Sequence, residues 1–286
     1  MNFFNKILNK NNFYFIAEIG INHNGSKEVA KKLIEAAKLA GCDAVKVQKR
    51  TPEICIPKTE WDNLRITPWG TMKYIDYKKK IEFSYDEYKE LKKFSDKLKI
   101  TFIASCWDVP SVKFMEKLKV PYYKVPSASI TDFELLKEIK KTKKPIIIST
   151  GMSTEKQINK CINFLGEKNL CVMHCTSSYP SKTEELNLNY ILKLKKKYKK
   201  AVIGYSGHET NLSSAIAAFV LGANLIERHI TLDRSMWGTD QKSSIEPLGV
   251  ARLIRDLKTV NQSFGDGIKK VYESEKPFIN KLRRIK

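Results

Sequence analysis

Eight short apolar runs, rich in Val, Ile and Tyr, recur along this chain of 286 residues with amphipathic segments between them. This alternation is typical of repeated βα units and of a parallel sheet. Eight such units predict an α/β fold, a (β/α)8 TIM barrel with a single domain, because about 250 residues are enough to close such a barrel. We predict strands at residues 13–20, 44–48, 101–105, 122–126, 145–150, 171–176, 202–206 and 225–230.

The segments between the predicted strands have helical periodicity. Apolar residues recur at helical spacing over residues 27–40, and Ser84 with Glu87 forms the pattern of a capping box. The span 49–81 is the exception, because it contains three prolines and two tryptophans and is too long for an ordinary βα loop. Such a span indicates a lid or a substrate loop. The predicted boundaries are an N-terminal extension at 1–12, the barrel domain at 13–265 and a C-terminal tail at 266–286.

The composition argues against several classes of partner. The net charge is +21, from 52 basic and 31 acidic residues, yet no helix-turn-helix or RNP motif accompanies it, which argues against a nucleic-acid-binding protein. The positive field is compatible with a small anionic substrate. No run approaches the roughly 18 apolar residues of a membrane span, and the six cysteines show no CxxC spacing. With no signal-like segment at the start, we expect a soluble, cytoplasmic protein without membrane or nucleic-acid partners.

Polar side chains stand at the carboxyl end of nearly every predicted strand. In a parallel barrel both faces of a strand are covered, so a polar residue there needs a reason. The carboxyl ends open onto one mouth of the barrel, where the active sites of this architecture lie. We therefore expect several hydroxyls of this set, Ser105 among them, to bind substrate. The set is Glu18, Lys46, Gln48, Ser105, Lys124, Ser127, Ser149, Thr150, Thr176, Ser177, Tyr179, Ser206, His208, Glu227 and His229.

Two lysines inside predicted strands indicate an anion at the barrel mouth. An ammonium in a covered strand is costly unless an opposite charge meets it, and both Lys46 and Lys124 are in this situation. An internal ion pair with Glu18 is an equally good explanation for either lysine alone. Both together predict a phosphate site, and the absence of a Walker or GxGxxG loop argues against a nucleotide. The hydroxyls expected to complete this site are Ser127, Ser149 and Ser206.

Two histidines one βα unit apart suggest a divalent metal. His208 and His229 follow or close neighbouring predicted strands, and Glu227 shares a strand face with His229. We expect the two imidazoles to bind the ion directly and Glu227 to reach it through a water molecule. Open positions for water and substrate favour Mn²⁺, with Mg²⁺ and Co²⁺ as alternatives. The competing interpretation is two structural histidines, and for Cys175 we expect a buried thiol.

With these residues the chain resembles the sialic acid (N-acetylneuraminate) synthase family, over roughly residues 13–247. Seven motifs occur in the family's order, which makes the resemblance highly specific. They are Ala17-Glu-Ile-Gly-Ile-Asn-His-Asn-Gly25, Val45-Lys-Val-Gln48, Tyr123-Lys-Val-Pro-Ser127, Ile148-Ser-Thr-Gly-Met152, His174-Cys-Thr-Ser-Ser-Tyr-Pro180, Gly204-Tyr-Ser-Gly-His-Glu209 and Glu227-Arg-His-Ile-Thr-Leu-Asp233.

The resemblance implies a metal-dependent condensation of phosphoenolpyruvate with the open-chain aldehyde of a sugar, with release of phosphate. It implies catalytic roles for Glu18, Lys46, Lys124, His208 and His229. Phosphoenolpyruvate would contact Lys46, Lys124, Ser127, Ser149 and Ser206, the metal would bind His208 and His229, and the sugar would contact Glu18, Gln48, Tyr179 and Asp240. Some members have an asparagine where this chain has Ser177, so that phosphoenolpyruvate contact is shorter here.

The acceptor sugar is left open by the resemblance. Many family members continue into a C-terminal antifreeze-like domain, which contacts the N-acetyl group of the acceptor bound in the partner subunit. We expect this chain to lack that domain. A homo-oligomer is expected all the same. The span 49–81 carries Trp69 and the lysines 73 and 78–80, a pattern similar to the animal-type branch, whose acceptor is a 6-phosphorylated sugar. A solvated lysine face is the alternative there.

Two other functions compete with this synthase. Another phosphoenolpyruvate-dependent 3-deoxy-2-ulosonate synthase would share the barrel and the metal. A noncatalytic sugar-phosphate-binding barrel would be expected to have lost a metal histidine or a phosphate lysine, and this chain retains both.

Overall fold

Eight parallel strands close into a barrel in the computed structural model, which describes residues 3–8 and 12–285. Around the barrel the strand order is β1, β10, β9, β8, β7, β6, β5 and β2, and β2 pairs again with β1. The predicted TIM barrel is therefore confirmed. In chain order the strands are β1 (Tyr14–Gly20), β2 (Ala44–Lys49), β3 (Leu64–Thr67), β4 (Gly70–Lys73), β5 (Thr101–Cys106), β6 (Tyr123–Val125), β7 (Ile146–Ser149), β8 (Leu170–Cys175), β9 (Val202–Gly207) and β10 (Leu225–His229).

Helices follow the barrel strands and cover their outer faces. The predicted helix at 27–40 and the capping box of Ser84 and Glu87 are both present. The α-helices are α1 (Phe3–Leu8), α2 (Lys27–Ala40), α3 (Pro52–Cys55), α4 (Tyr74–Ile81), α5 (Tyr85–Lys97), α6 (Val109–Lys117), α7 (Phe133–Lys141), α8 (Glu155–Leu165), α9 (Tyr190–Lys197), α10 (Ser213–Val220), α11 (Pro247–Ser263) and α12 (Lys276–Leu282).

The interior of the barrel has an apolar lower layer and a polar upper layer. The lower layer includes Tyr14, Ile16, Ala44, Ile103, Tyr122, Ile147, Met173 and Leu225. Because side chains alternate along a strand, residues two positions further on face the same interior. Those residues are Glu18, Lys46, Ser105, Lys124, Ser149, Cys175 and Glu227. The strand periodicity therefore places the chemically active side chains together at the carboxyl end of the barrel.

The opposite end of the barrel is closed by α1. The side chain of Phe4 is fully buried, and its ring centroid lies 6.0 Å from that of Tyr122 on the barrel floor. Phe3 lies 5.7 Å from the same ring, and its backbone N–H donates to Oδ1 of Asn169. Part of the predicted N-terminal extension thus packs against the barrel core. The domain boundaries stay a prediction.

The long span after β2 contains secondary structure of its own. It holds α3, an antiparallel hairpin of β3 and β4, and α4, which the sequence pattern did not predict. Glu82 joins its two ends, since its carboxylate lies 2.9 Å from Lys49 Nζ and 3.6 Å from Arg50 Nε. Asp108 accepts a hydrogen bond from the Thr51 backbone and caps α6 through the Ser111 N–H. The span is therefore anchored at its base beside the barrel mouth.

The C-terminal segment lies largely in solvent. Phe278 and Leu282 of α12 are exposed, and no residue of this helix is buried. Within the described ranges, none of the helices is both long and apolar enough for a membrane crossing. The expected cytoplasmic location and homo-oligomer stay predictions.

Candidate active site

A pocket opens at the carboxyl ends of the barrel strands. It brings together every predicted site residue except Asp240, which lies close by. The predicted residues that line it are Glu18, Lys46, Gln48, Ser105, Lys124, Ser127, Ser149, Ser177, Tyr179, Ser206, His208, Glu227 and His229. Their roles stay predictions, but their convergence on one pocket is a property of the fold.

Both predicted phosphate lysines meet the same carboxylate. Lys46 Nζ lies 3.5 Å and Lys124 Nζ 3.3 Å from Oε1 of Glu227. Lys46 also lies 2.9 Å from Oε2 of Glu18, so the ion pair considered as an alternative does form. Lys124 donates to Ser149 Oγ at 2.7 Å. The two ammonium groups are buried and directed into the pocket, where an incoming anion can compete with Glu227 for them.

The two buried carboxyl groups differ in proton affinity. For Glu227, burial favours the neutral form, but Lys124 and Lys46 outweigh it and lower the pKa to about 2. For Glu18, burial dominates over Lys46, and Glu227 adds repulsion, so the pKa is raised. Burial lowers the pKa of Lys124, whereas the Glu18 and Glu227 carboxylates overcome burial and raise that of Lys46. Neighbouring carboxyl groups with opposite shifts are the arrangement that separates acid from base roles.

Hydroxyl groups from three strand ends form a cradle beside Lys124. Ser127 Oγ accepts from the backbone N–H of Gly151 at 3.1 Å. A Cβ atom at Gly151 would lie 2.1 Å from Ser177 Oγ and 2.9 Å from Ser127 Oγ, so only glycine leaves both hydroxyls in place. Across the pocket, Ser206 donates to Glu227 Oε1 at 3.0 Å. A backbone N–H and hydroxyls around an ammonium suit a phosphate or carboxylate group.

The two imidazoles face each other at the other side of the pocket. The ring centroids of His208 and His229 are 5.4 Å apart. Nδ1 of His208 donates to the carbonyl oxygen of Thr176 at 2.8 Å, so in the neutral ring Nε2 has the free lone pair. Burial lowers the pKa of His208, but Cys175 and the Thr176 carbonyl outweigh burial and raise it. Burial lowers the pKa of His229 to about 3, so this ring is neutral at pH 7, as a metal ligand must be.

The donor set fits a divalent ion in part. No cluster of three or more His, Cys, Asp or Glu side chains with metal-binding spacing occurs among residues 3–8 and 12–285. The hypothesis needs only two imidazoles and a water-bridged carboxylate. Nδ1 of His229 and Oε2 of Glu227 are two of the eleven buried side-chain atoms without a hydrogen-bond partner in the described part of the chain. Buried polar atoms without partners are uncommon and point to a missing ligand or water. The residues present therefore fit an ion held by two nitrogens and solvent.

Of the side chains assigned to the sugar, Glu18, Gln48 and Tyr179 line the pocket. Gln48 lies with Nε2 3.4 Å from Glu18 Oε1, and the Tyr179 ring lies 4.2 Å from that of His208. Asp240 does not line the pocket itself, but its Oδ2 is 3.9 Å from His229 Nδ1. It stands at the rim, in the loop that follows β10.

Comparison with known proteins decides the family. A family model described as "NeuB family" matches residues 33–269, which is most of the chain. The chain belongs to the NeuB family. Human N-acetylneuraminate-9-phosphate synthase is 37% identical over 274 residues, covering 94% of this chain and 76% of the relative. The N,N'-diacetyllegionaminic acid synthase of Campylobacter jejuni is 38% identical over 277 residues, covering 94% and 82%.

Solved structures agree with this assignment. The crystal structure of the sialic acid synthetase of Leptospira borgpetersenii superposes with a TM-score of 0.83 at 29% identity, covering 96% of this chain and 93% of that one. A truncated 3-deoxy-D-arabino-heptulosonate 7-phosphate synthase from Thermotoga maritima superposes with a TM-score of 0.67 at 12% identity. The second likeness shows a common fold alone. The family resemblance inferred from the seven motifs is thus confirmed.

Sequence reasoning missed five residues that line the pocket of this NeuB-family barrel: Trp107, Pro126, Ala128, Met152 and Cys175. Trp107 lines the pocket two positions after Ser105, so the strand alternation could have identified it. Cys175 was expected to be a buried thiol, and it is buried, but it also faces the pocket with Sγ 3.8 Å from His208 Nδ1. Met152 lines the pocket from the loop after β7, and it is the last residue of the motif Ile148-Ser-Thr-Gly-Met152, which could have identified it.

The lysines 73 and 78–80 of the long span differ in their partners and in their burial. Lys73 pairs with Asp62 and Lys79 with Glu53, both in exposed positions, and Lys80 lies over the Trp69 ring. Lys78 alone is buried, with 5% exposure. It lines a groove between the hairpin and the loop that contains Asp240, together with Arg65, Tyr77, Trp237, Thr239 and Lys242. Burial, and then Arg50, lower its pKa to about 8.

Proposed function

We propose that this NeuB-family protein condenses phosphoenolpyruvate with the open-chain aldehyde of a sugar and releases inorganic phosphate. The observation that carries the proposal is one pocket with two halves. One half has Lys46 and Lys124 among serine hydroxyls, and the other has the paired imidazoles of His208 and His229. The first half suits a phosphorylated acid and the second an ion that binds an aldehyde oxygen.

The lysine half would hold phosphoenolpyruvate. Lys124, Ser149, Ser127 and the Gly151 N–H offer donors within one cradle, and Lys46 lies on the neighbouring side of Glu227. The phosphate keeps its neutralising partners while the C–O bond to phosphate breaks. Glu227 stays ionised between the lysines, so the pocket does not carry two uncompensated ammonium groups before substrate binds.

The imidazole half would hold a divalent ion, for which we propose Mn²⁺, with His208 and His229 as ligands and Glu227 joined through water. When bound, the ion would supply Lewis acidity toward the aldehyde oxygen. The lowered pKa of His229 keeps this ring neutral and able to bind the ion. The hydrogen bond to Thr176 fixes the orientation of the His208 ring.

The proton balance identifies a role for Glu18. A C–C bond forms between C3 of phosphoenolpyruvate and the aldehyde carbon, whose oxygen then needs a proton. Water adds at C2 and loses one proton, and the hydroxyl proton that remains on C2 passes to the phosphate group, which leaves with the electrons of its C–O bond as C2 becomes a ketone. Glu18 has a raised pKa and lies between Lys46 and Gln48, so it can donate the first proton and recover the second. One carboxyl group thus closes the proton cycle.

The acceptor we favour is an N-acetylmannosamine-type or related aldose, and a 6-phosphorylated one is the second candidate. The groove lined by Lys78, Arg65 and Lys242 supports the second candidate, because it borders the loop with Asp240 and holds a buried cation. A phosphate placed there would relieve the unfavourable burial of Lys78.

The experiment is a phosphate-release assay with phosphoenolpyruvate, Mn²⁺ and a panel of aldoses, N-acetylated or not and 6-phosphorylated or not, together with 4-carbon and 5-carbon aldose phosphates. We expect release only when an aldose is present, and the aldose with the highest kcat/KM identifies the acceptor. Release with 4-carbon or 5-carbon aldose phosphates alone would favour another 3-deoxy-2-ulosonate synthase. No release with any member would favour a noncatalytic sugar-phosphate-binding barrel.

A further inference from the structure

A buried ion pair lies directly behind the two imidazoles. Arg228 stands on β10 between Glu227 and His229, and alternation turns its side chain away from the pocket toward the covering helices. Its guanidinium is fully buried and lies 2.9 Å from Oε1 of Glu209, which is also fully buried. Glu209 is the residue that follows His208. The pair therefore links the segments that carry the two imidazoles.

The pair also holds the loop after β9 by its backbone. The guanidinium donates to the carbonyl oxygens of Asn211, at 3.0 Å, and of Glu209. The hydroxyl of Tyr205 donates to Oε2 of Glu209 at 2.8 Å. A Cβ atom at Gly207 would lie 2.6 Å from that oxygen, so the carboxylate is packed directly against the strand. Carboxylate and guanidinium together determine the path of the chain on both sides of His208.

We propose that Arg228 and Glu209 are positioning residues that set the separation and orientation of the His208 and His229 imidazoles. The proposal rests on the proposed function only where it concerns metal affinity. Arg228 touches neither the pocket nor any substrate, so it acts through the backbone of the loop and of β10. A lysine in its place would keep the charge but lack the planar fork that reaches two carbonyl oxygens and a carboxylate at once.

Stability alone does not explain this pair. A buried ion pair can often be replaced by apolar residues of similar volume without loss of stability, because desolvation offsets the attraction. The double variant Arg228→Met with Glu209→Leu is therefore expected to fold. If the pair serves position, this variant folds with a lower melting temperature, because the Tyr205 hydroxyl and two backbone carbonyl oxygens lose their partners, and it also loses the arrangement of the imidazoles.

The test uses the full chain labelled with ¹⁵N-histidine, in which four histidines give four resolvable sets of imidazole signals. In the metal-free double variant we expect the signals of His208 and His229 to shift or broaden, while those of His23 stay in place. His174 is not a control, because its ring lies 6.2 Å from that of Tyr205, which loses its partner Glu209. The dissociation constant of the double variant for Mn²⁺ should be at least about tenfold higher than that of the wild type. Electron paramagnetic resonance of free Mn²⁺ in a titration measures it. Arg228→Lys should change the imidazole signals and the Mn²⁺ affinity by a smaller amount. If the double variant does not fold, the single variant tests the positioning role.

The control is Lys144→Met with Glu116→Leu, which removes an ion pair outside the pocket. It should leave all four sets of imidazole signals and the Mn²⁺ affinity unchanged. Unchanged signals of His208 and His229 in the Arg228 variants would overturn the positioning role. If the wild-type chain binds no Mn²⁺, the metal part of the proposed function fails, and the imidazole signals alone decide this inference.

Discussion

The ammonium of Lys124 lies 3.3 Å from Oε1 of Glu227. The same oxygen accepts a hydrogen bond from Ser206 and lies 3.5 Å from Lys46 Nζ. One carboxylate oxygen thus meets side chains from three other barrel strands, and the low pKa of Glu227 follows from the two ammonium groups. An anionic substrate would enter a pocket whose cations are already in place, so little reorganisation is needed on binding.

Lys124→Ala is expected to raise the KM for phosphoenolpyruvate about tenfold or more. A hydrogen bond to a charged group contributes about 1.5–3 kcal/mol, and Lys124 is the innermost cation of the cradle. Steady-state kinetics of phosphate release measure the effect, with Lys144→Ala outside the pocket as the control. An unchanged KM for phosphoenolpyruvate would remove Lys124 from the phosphate site.

Chelation with EDTA is expected to abolish turnover, and added Mn²⁺ to restore it. His208→Ala and His229→Ala should each lower kcat at least about a hundredfold even in excess Mn²⁺, because either change removes one of the two proposed nitrogen ligands. Phosphate release in treated and untreated protein gives the answer. Full activity in EDTA would show that the imidazole pair serves another purpose.

Gly151→Ala is expected to weaken phosphoenolpyruvate binding strongly. The new methyl group would meet Ser177 Oγ at 2.1 Å and Ser127 Oγ at 2.9 Å, so at least one hydroxyl must leave the cradle. The double variant with Ser177→Ala should recover part of the affinity, because the closest clash is gone. A single variant with wild-type KM would mean that neither hydroxyl contacts the substrate.

Lys78→Met tests whether the acceptor is phosphorylated. If the acceptor phosphate lies in the groove of Lys78, the variant should raise the KM for the 6-phosphorylated sugar about tenfold and leave that for the free sugar unchanged. Lys79→Met, at an exposed residue paired with Glu53, is the matched control. Equal KM values of the Lys78 variant and the wild type for the phosphorylated sugar would leave Lys78 a structural cation.

His23 is expected to make the protein less stable as the pH falls below 6.5. Burial lowers its pKa from 6.5 to about 3, so the unfolded chain takes up this proton before the folded chain does. Stability from this group is complete above pH 6.5 and is lost toward pH 3, at up to about 1.4 kcal/mol per pH unit. In His23→Gln the urea midpoint should depend less steeply on pH in this window. Identical pH profiles would contradict the burial argument.

Much of the fold and of the site could be predicted from local patterns. All eight barrel strands were predicted within two residues of their observed ends, because buried parallel strands leave continuous apolar runs. Convergence of Glu18, Lys46, Lys124, His208 and His229 follows from the same pattern, since the carboxyl ends of parallel strands meet at one mouth. The same alternation predicts that Trp107, two positions after Ser105, faces the pocket, although it was not among the predicted site residues.

What local patterns could not predict depends on contacts between distant segments. The hairpin of β3 and β4 has mainly exposed side chains, so no apolar run marks it. The run of lysines at 78–80 looks uniform in sequence, but packing of α4 buries only Lys78. Arg228 follows Glu227 in a strand and gives no sign of its partner, because Glu209 lies 19 positions away in the chain.

The sequence by itself determined the barrel, its polar upper layer and the family, because strand alternation and motif order are properties of the chain. Only the tertiary structure decided how the charges are shared. It placed both lysines against one oxygen of Glu227, gave Glu18 and Glu227 opposite pKa shifts, and set a buried ion pair behind the two imidazoles. These features depend on distances across the barrel and on exclusion of water, which no one-dimensional pattern contains.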